Sequence, residues 1–168
     1  EVSAMITRLA LELHGGLGFL EEFPVARWHR EALITPIWEG SSNIQALDLL
    51  ELMNKKHTHE QFFEEINRTL ALIPDEDLRS ILKDKKQSLW VELIKMLDSG
   101  QDAQYYAKEM LTALGELAAL DALCRAGIET DPRFLQMAHL YAEKHLLKRR
   151  LDLQTLRNCE KLFYLNPK

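Results

Sequence analysis

Ile37-Trp38-Glu39-Gly40-Ser41-Ser42-Asn43-Ile44-Gln45 reads as a loop that turns into a helix. Gly40 supplies a hinge, and Ser41 or Ser42 can cap a helix running from Ser42 to about Asn54, with Ile44, Leu47 and Leu50 as its expected buried stripe. Glu39 is the residue to explain. It stands between the apolar Pro36, Ile37 and Trp38 and a glycine. Neighbours that strip water from a carboxylate raise its pKa toward neutrality and suit it to proton abstraction. The free N–H groups of the helix's first turn, at the positive end of its dipole, would suit a pyrophosphate or a developing oxyanion. The plain alternative is a surface-loop glutamate ahead of a capped helix.

Outward from this stretch the chain reads as helix after helix. Before it, Val2, Met5, Ile6, Leu9 and Leu13 share one side of a helix that ends at His14, where Gly15 and Gly16 can take the positive φ of a C-cap. No strand precedes Gly15-Gly16-Leu17-Gly18 and no G-x-G-x-x-G can be written, which excludes a dinucleotide-binding fingerprint. Pro24 suits the first turn of a short helix through Ala32.

After it, Phe62, Phe63, Ile66, Leu70 and Ile73 predict an amphipathic helix that Pro74 terminates. Asp75 caps a second helix to about Asp98, with Leu78, Leu82, Leu89, Leu93 and Met96 in line, closed by Gly100. A third, from Asp102 to Ala126, places Tyr106, Met110, Ala113, Leu117, Leu120 and Cys124 at alternating steps of four and three, the spacing of a seam, and Gly127 ends it. Asp131-Pro132 opens a last helix bearing Phe134, Met137, Leu140, Tyr141, Leu147 and Leu151. The expected fold is all-α: an antiparallel bundle, divided into residues 1–54 and a four-helix extension over 55–168.

Composition agrees with an ordinary globular protein: 168 residues, 46% hydrophobic and 28% charged. Residues 1–54 carry Arg8, Arg27 and Arg30 against eight acidic side chains, whereas 55–168 are balanced. That argues against a strongly basic nucleic-acid protein. No apolar run approaches a membrane span, and no basic-then-apolar leader is present. Cys124 and Cys159 lack CxxC spacing and read as buried thiols of a reducing compartment, so a cytoplasmic location is expected.

The words around Glu39 narrow the reading further. Gly15-Gly16-Leu17-Gly18-Phe19, Glu22-Phe23-Pro24-Val25-Ala26-Arg27, Arg30-Glu31-Ala32 and the opening stretch follow one another without a gap. In that order and spacing they resemble the C-terminal end of the flavin-dependent acyl-CoA dehydrogenases, whose pattern runs roughly GGxGF/Y, E-x-PVER, RDA, IYEGTxxIQ. The resemblance covers residues 1 to about 54. It implies that Glu39 is the catalytic base, taking the α-proton of an acyl-CoA thioester while the β-hydrogen leaves as hydride to FAD. It implies that Trp38 and Gly40 flank the thioester and that Ser41 and Asn43 touch FAD. It further implies that the strip Glu12 to Gly16, including Gly15 and Gly16, approaches FAD across a subunit contact in a homo-oligomer.

Trp38 stands where Tyr is usual and Ser41 where Thr is usual; this WEGS form resembles a subgroup, the alkylation-response flavoproteins. Glu12 replaces the usual Gln. The family's earlier domains have no counterpart in these residues, so the chain is expected to be inactive alone and not to retain FAD. The acyl-CoA substrate and the electron acceptor would belong to the longer protein.

Two further clusters carry chemistry-bearing side chains. His57-Thr58-His59-Glu60 offers two imidazoles and a carboxylate, but an i,i+2 pair does not share a helix face, and no metal site is expected. Lys144, Lys148, Arg149 and Arg150 form the one local basic cluster, either a solvated face or a phosphate-binding site. Two readings therefore compete with the dehydrogenase: nucleic-acid binding through the C-terminal helices, and a helical module for assembly or partner docking.

Overall fold

The computed structural model describes residues 2–148. These are helical, with no strand among the described residues. The chain divides into two compact units, residues 1–49 and 50–168.

In the first unit α1 (Val2–Leu13) is followed by a 3-10 turn (Gly15–Phe19), α2 (Pro24–Ala32) and the opening of α3 (Ser42–Lys56). α1 packs against the turn and α2. Thr7 Oγ1 lies 3.0 Å from His29 Nδ1, joining α1 to α2, and Ser3 Oγ lies 2.7 Å from Thr35 Oγ1, joining α1 to the loop after α2. Gly18 is buried against α1, and a Cβ there would fall 2.5 Å from the Leu11 carbonyl oxygen, so the third glycine of the run is fixed by close approach. Gly15 takes φ +56, as a C-cap requires. The expected stripe on α3 is only partly right. Ala46, Leu50 and Met53 are buried, while Ile44 and Leu47 are exposed. Helical periodicity defines a face of α3 but not which neighbour covers it.

The second unit is a helical bundle: α4 (Thr58–Leu72), α5 (Glu76–Asp98), α6 (Ala103–Glu129) and α7 (Arg133–Tyr141), the last running into a π-helical turn, Ala142–Leu146. α6 packs against α4, α5 and α7. The predicted α5 stripe, Leu78, Leu82, Leu89, Leu93 and Met96, is buried throughout. Its start is fixed by Asp75, whose Oδ1 accepts the Leu78 amide at 2.9 Å and whose Oδ2 lies 2.9 Å from His139 Nε2 on α7. On α4 the buried set is His59, Phe63, Ile66 and Thr69, with Phe63 edge-on to Trp90 of α5.

α6 departs from its predicted seam. Ala103, Ala107, Met110, Leu114, Leu117, Asp121 and Cys124 are buried, again at steps of four and three, whereas Tyr106 is exposed. The two stripes are adjacent on the helix and share Met110, Leu117 and Cys124, and Leu120 of the predicted seam is buried as well. Packing against its neighbours, not periodicity, selects the small-residue side at its N-terminal end, where Ala103 and Ala107 are buried. Nor does Gly127 end the helix, which continues to Glu129. Gly127 is instead a contact position, where a Cβ would lie 2.6 Å from Leu135 Cγ and 2.9 Å from the Leu135 amide nitrogen. Asp131 turns the chain into α7 by accepting the Arg133 amide at 2.9 Å. Of the predicted α7 stripe, Leu147 is exposed, and the buried positions are Ala138 and Ala142. Leu151 and Cys159 lie outside the described residues.

Among the described residues no helix is long and apolar enough to cross a membrane.

Candidate functional site

The loop carrying Glu39 is shaped by its own sequence. The amides of Ile37 and Trp38 both donate to the Ile34 carbonyl, at 3.0 and 2.8 Å. Glu39 then takes φ +59 and Gly40 φ +105. A left-handed backbone costs a side chain of this size about 1–2 kcal/mol, and it persists where the surroundings hold it.

The holding group is Gln45. Its Nε2 donates to the Trp38 carbonyl at 3.0 Å and to the Gly40 carbonyl at 3.2 Å, on either side of Glu39. Both partners are acceptors, so the side-chain nitrogen must face them. The Ser41 carbonyl accepts the Gln45 amide at 3.0 Å, which opens α3. At Gly40 a side chain is excluded twice, by its φ and by Ile44, whose Cγ2 would lie 3.1 Å from an added Cβ.

Glu39 points this arrangement at solvent. It is exposed, and Trp38 beside it is 64% exposed. The shielding that the apolar neighbours lead one to expect is therefore not supplied by the described residues. Ser41 and Asn43 are exposed at the start of α3, in the same short segment as Trp38, Glu39 and Gly40.

The glycine strip is separate. Glu12 is exposed on the last turn of α1 and pairs with Arg8, which offsets its charge locally. Gly15 and Gly16 are exposed, and a Cβ at either would meet no atom within 4 Å. Glu12 and Gly15 border an open depression of about 500 Å³ together with Leu11, Phe19, His29 and Leu33; the Glu39 loop does not. In the second unit Lys144 and Lys148 are exposed, and Arg149 and Arg150 lie outside the described residues. Sequence reasoning missed Gln45 as the pin of the loop, although a long amide on the first turn of a helix, a few residues after a glycine, is placed to reach back.

Residues 1–53 match the family model for the acyl-CoA dehydrogenase C-terminal domain. This dehydrogenase-like segment is 48% identical over 50 residues to 3-methylmercaptopropionyl-CoA dehydrogenase of Ruegeria pomeroyi, covering 30% of this chain and 8% of that protein. It is 47% identical over 47 residues to the putative acyl-CoA dehydrogenase AidB of Escherichia coli, covering 28% and 9%. Against the mitochondrial short-chain specific acyl-CoA dehydrogenase of Bos taurus it is 45% identical over 47 residues, covering 28% and 11%. The match thus spans about a tenth of the length of these relatives. No solved structure matches the chain. The Glu39 loop and the glycine strip both fall inside the dehydrogenase-like segment, whereas the second unit lies almost wholly beyond it.

Proposed function

We propose that this chain is the C-terminal part of a flavin-dependent acyl-CoA dehydrogenase, with Glu39 as the base that removes the α-proton of an acyl-CoA thioester. The observation that carries the reading is the loop: an exposed glutamate, held in a left-handed backbone by Gln45, at a fixed place in the segment that matches the family. A base needs an accessible carboxylate in one repeatable position, and backbone strain kept by a dedicated hydrogen-bonding side chain is a known companion of functional sites.

In this reading the thioester lies between Trp38 and Gly40. The Glu39 carboxylate accepts the proton from the α-carbon. The Glu39 N–H polarises the thioester carbonyl, so that the developing negative charge is met by a donor as the proton leaves. FAD, when bound, supplies the acceptor for the β-hydrogen, which departs as hydride with the electron pair of its C–H bond. Substrate and flavin in the longer protein provide the cover that Trp38 and Glu39 lack here and keep water from the reacting atoms.

The residues present fit such a cofactor. Gly15 and Gly16 leave open backbone where a large planar or phosphate-bearing group can approach, and the Arg8 partner moderates the charge of Glu12. Exposed Ser41 and Asn43 add polar groups at the start of α3. The exposed Val2, Ile6, Leu13, Phe19 and Trp28 fit a unit that is covered in a larger, oligomeric protein. Residues 55–168 form the C-terminal extension. By itself the chain should purify without flavin.

The test uses the longer protein. Glu39→Gln keeps shape and removes the proton acceptor, so reduction of the flavin by an acyl-CoA should slow by roughly 10² to 10⁴ with flavin content unchanged. A Gln variant that bleaches as fast as the parent would sink the assignment of the base.

A further inference from the structure

We propose that His57, His59 and Glu60, at the junction of α3 and α4, form a binding site for a divalent first-row transition-metal ion. One ligand atom from each of the three lies within 4.8 Å of the others. Among them His57 Nδ1 and a Glu60 carboxylate oxygen are 3.8 Å apart.

Sequence spacing argues against this site, because residues two apart on a helix face different ways. His57 is not in the helix. It is the residue between α3 and α4, with φ +51, and this left-handed turn folds its ring back over the first turn of α4, 5.9 Å from the His59 ring. The cost of that backbone is of the same kind as at Glu39, about 1–2 kcal/mol, so position 57 would favour glycine or asparagine if only the turn mattered.

His59 provides a second, independent sign. It is 5% exposed, and its Nδ1 is buried without a hydrogen-bond partner in the protein. Buried polar atoms are almost always partnered, and an orphan calls for a ligand that the protein alone does not supply. The ring packs against Trp90, 5.7 Å away between centroids. Its orientation is therefore set before any ligand arrives, which lowers the entropy lost on binding.

Two imidazoles and one carboxylate are a donor set for zinc, cobalt, nickel, copper or iron in the divalent state, rather than for calcium or magnesium, which prefer all-oxygen ligands. Metal–nitrogen bonds of about 2.0–2.1 Å put neighbouring ligand atoms about 3.3 Å apart in a tetrahedral site. The longest separation must therefore close by about 1.5 Å, and the exposed side chains of His57 and Glu60 are free to turn inward toward the fixed His59. Three protein ligands leave the remaining positions to water. Occupied, the site would clamp the α3–α4 turn.

Co²⁺ added to the full chain tests the proposal through its visible absorption and through quenching of Trp90 fluorescence, read in a Trp28→Phe, Trp38→Phe background. Saturable binding of one Co²⁺ per chain is expected. His57→Ala and Glu60→Gln, both at exposed positions, should each weaken it at least tenfold, while His14→Ala and His145→Ala leave it unchanged. His59→Ala is set aside because it opens a cavity beside Trp90. Absence of saturable binding, or binding indifferent to both His57→Ala and Glu60→Gln, overturns the site.

Discussion

The side-chain amide of Gln45 lies 3.0 Å from the Trp38 carbonyl oxygen and so bridges the backbone just ahead of Glu39 to the first turn of α3. Gln45→Ala should remove two neutral hydrogen bonds in a half-exposed place, worth roughly 1 kcal/mol together, and leave the left-handed turn at Glu39 to relax. Gln45→Glu should be worse than Ala, because a carboxylate would face two carbonyl oxygens. Amide relaxation measured by NMR at Glu39 and Gly40 checks both; equal mobility in wild type and Gln45→Ala would show that the turn is held by something else.

Gly127→Ala should destabilise the bundle despite alanine's better helix propensity. The added methyl meets the Leu135 side chain and backbone nitrogen inside 3 Å, so α7 must move. Overpacking of this kind costs about 1–3 kcal/mol. Urea denaturation gives the answer, and an unchanged or higher midpoint would mean α7 shifts freely.

Acid should weaken the second unit partly through Asp75. The Leu78 amide, first, and then the His139 ring hold its carboxyl below the usual value of 3.8. A depressed folded-state pKa contributes stability that is complete above the unfolded pKa and is lost as pH falls through the folded one. Asp75→Ala, which also removes the helix cap, should therefore lower stability at pH 7 by about 1 kcal/mol. The gap from wild type should narrow below pH 3.8. A gap that stays constant down to pH 2 would assign the whole effect to packing.

Cys124 should resist alkylation in the native chain. Burial, helped by the nearby Asp121 and Asp75 carboxylates, pushes its thiol up to about 12, so almost no thiolate exists at neutral pH. Iodoacetamide treatment followed by peptide mapping should label Cys124 only after denaturant is added. Fast labelling of the folded protein would reveal local opening of α6.

Much of this architecture is legible in the sequence because local chemistry dictates it. Pro24 begins α2, Asp75 caps α5, and the buried α5 stripe follows from spacing alone. What fails depends on neighbours. α6 carries two adjacent apolar stripes, and only packing chooses between them; Gly127 looks like a stop until Leu135 is seen against it. At the candidate site the position of Glu39 was readable from its motif. Its exposure matches the plain surface-loop alternative rather than the shielded one, and the sequence left both open since burial of a loop is decided by whatever covers it. The turn at His57 is hidden for a related reason: a histidine carries no signal for positive φ, so its spacing reads as helical.

The hydrogen bonds that fix the Glu39 loop span only five and seven residues. This gives the loop an early place in the order of folding. A contact of such short range closes in about 10–100 ns and a helix of α3's length forms in about 0.1–1 μs, so the loop can settle as soon as α3 does, ahead of slower long-range packing. A nascent chain would thus carry this turn as a local memory, present before any tertiary structure exists to enforce it.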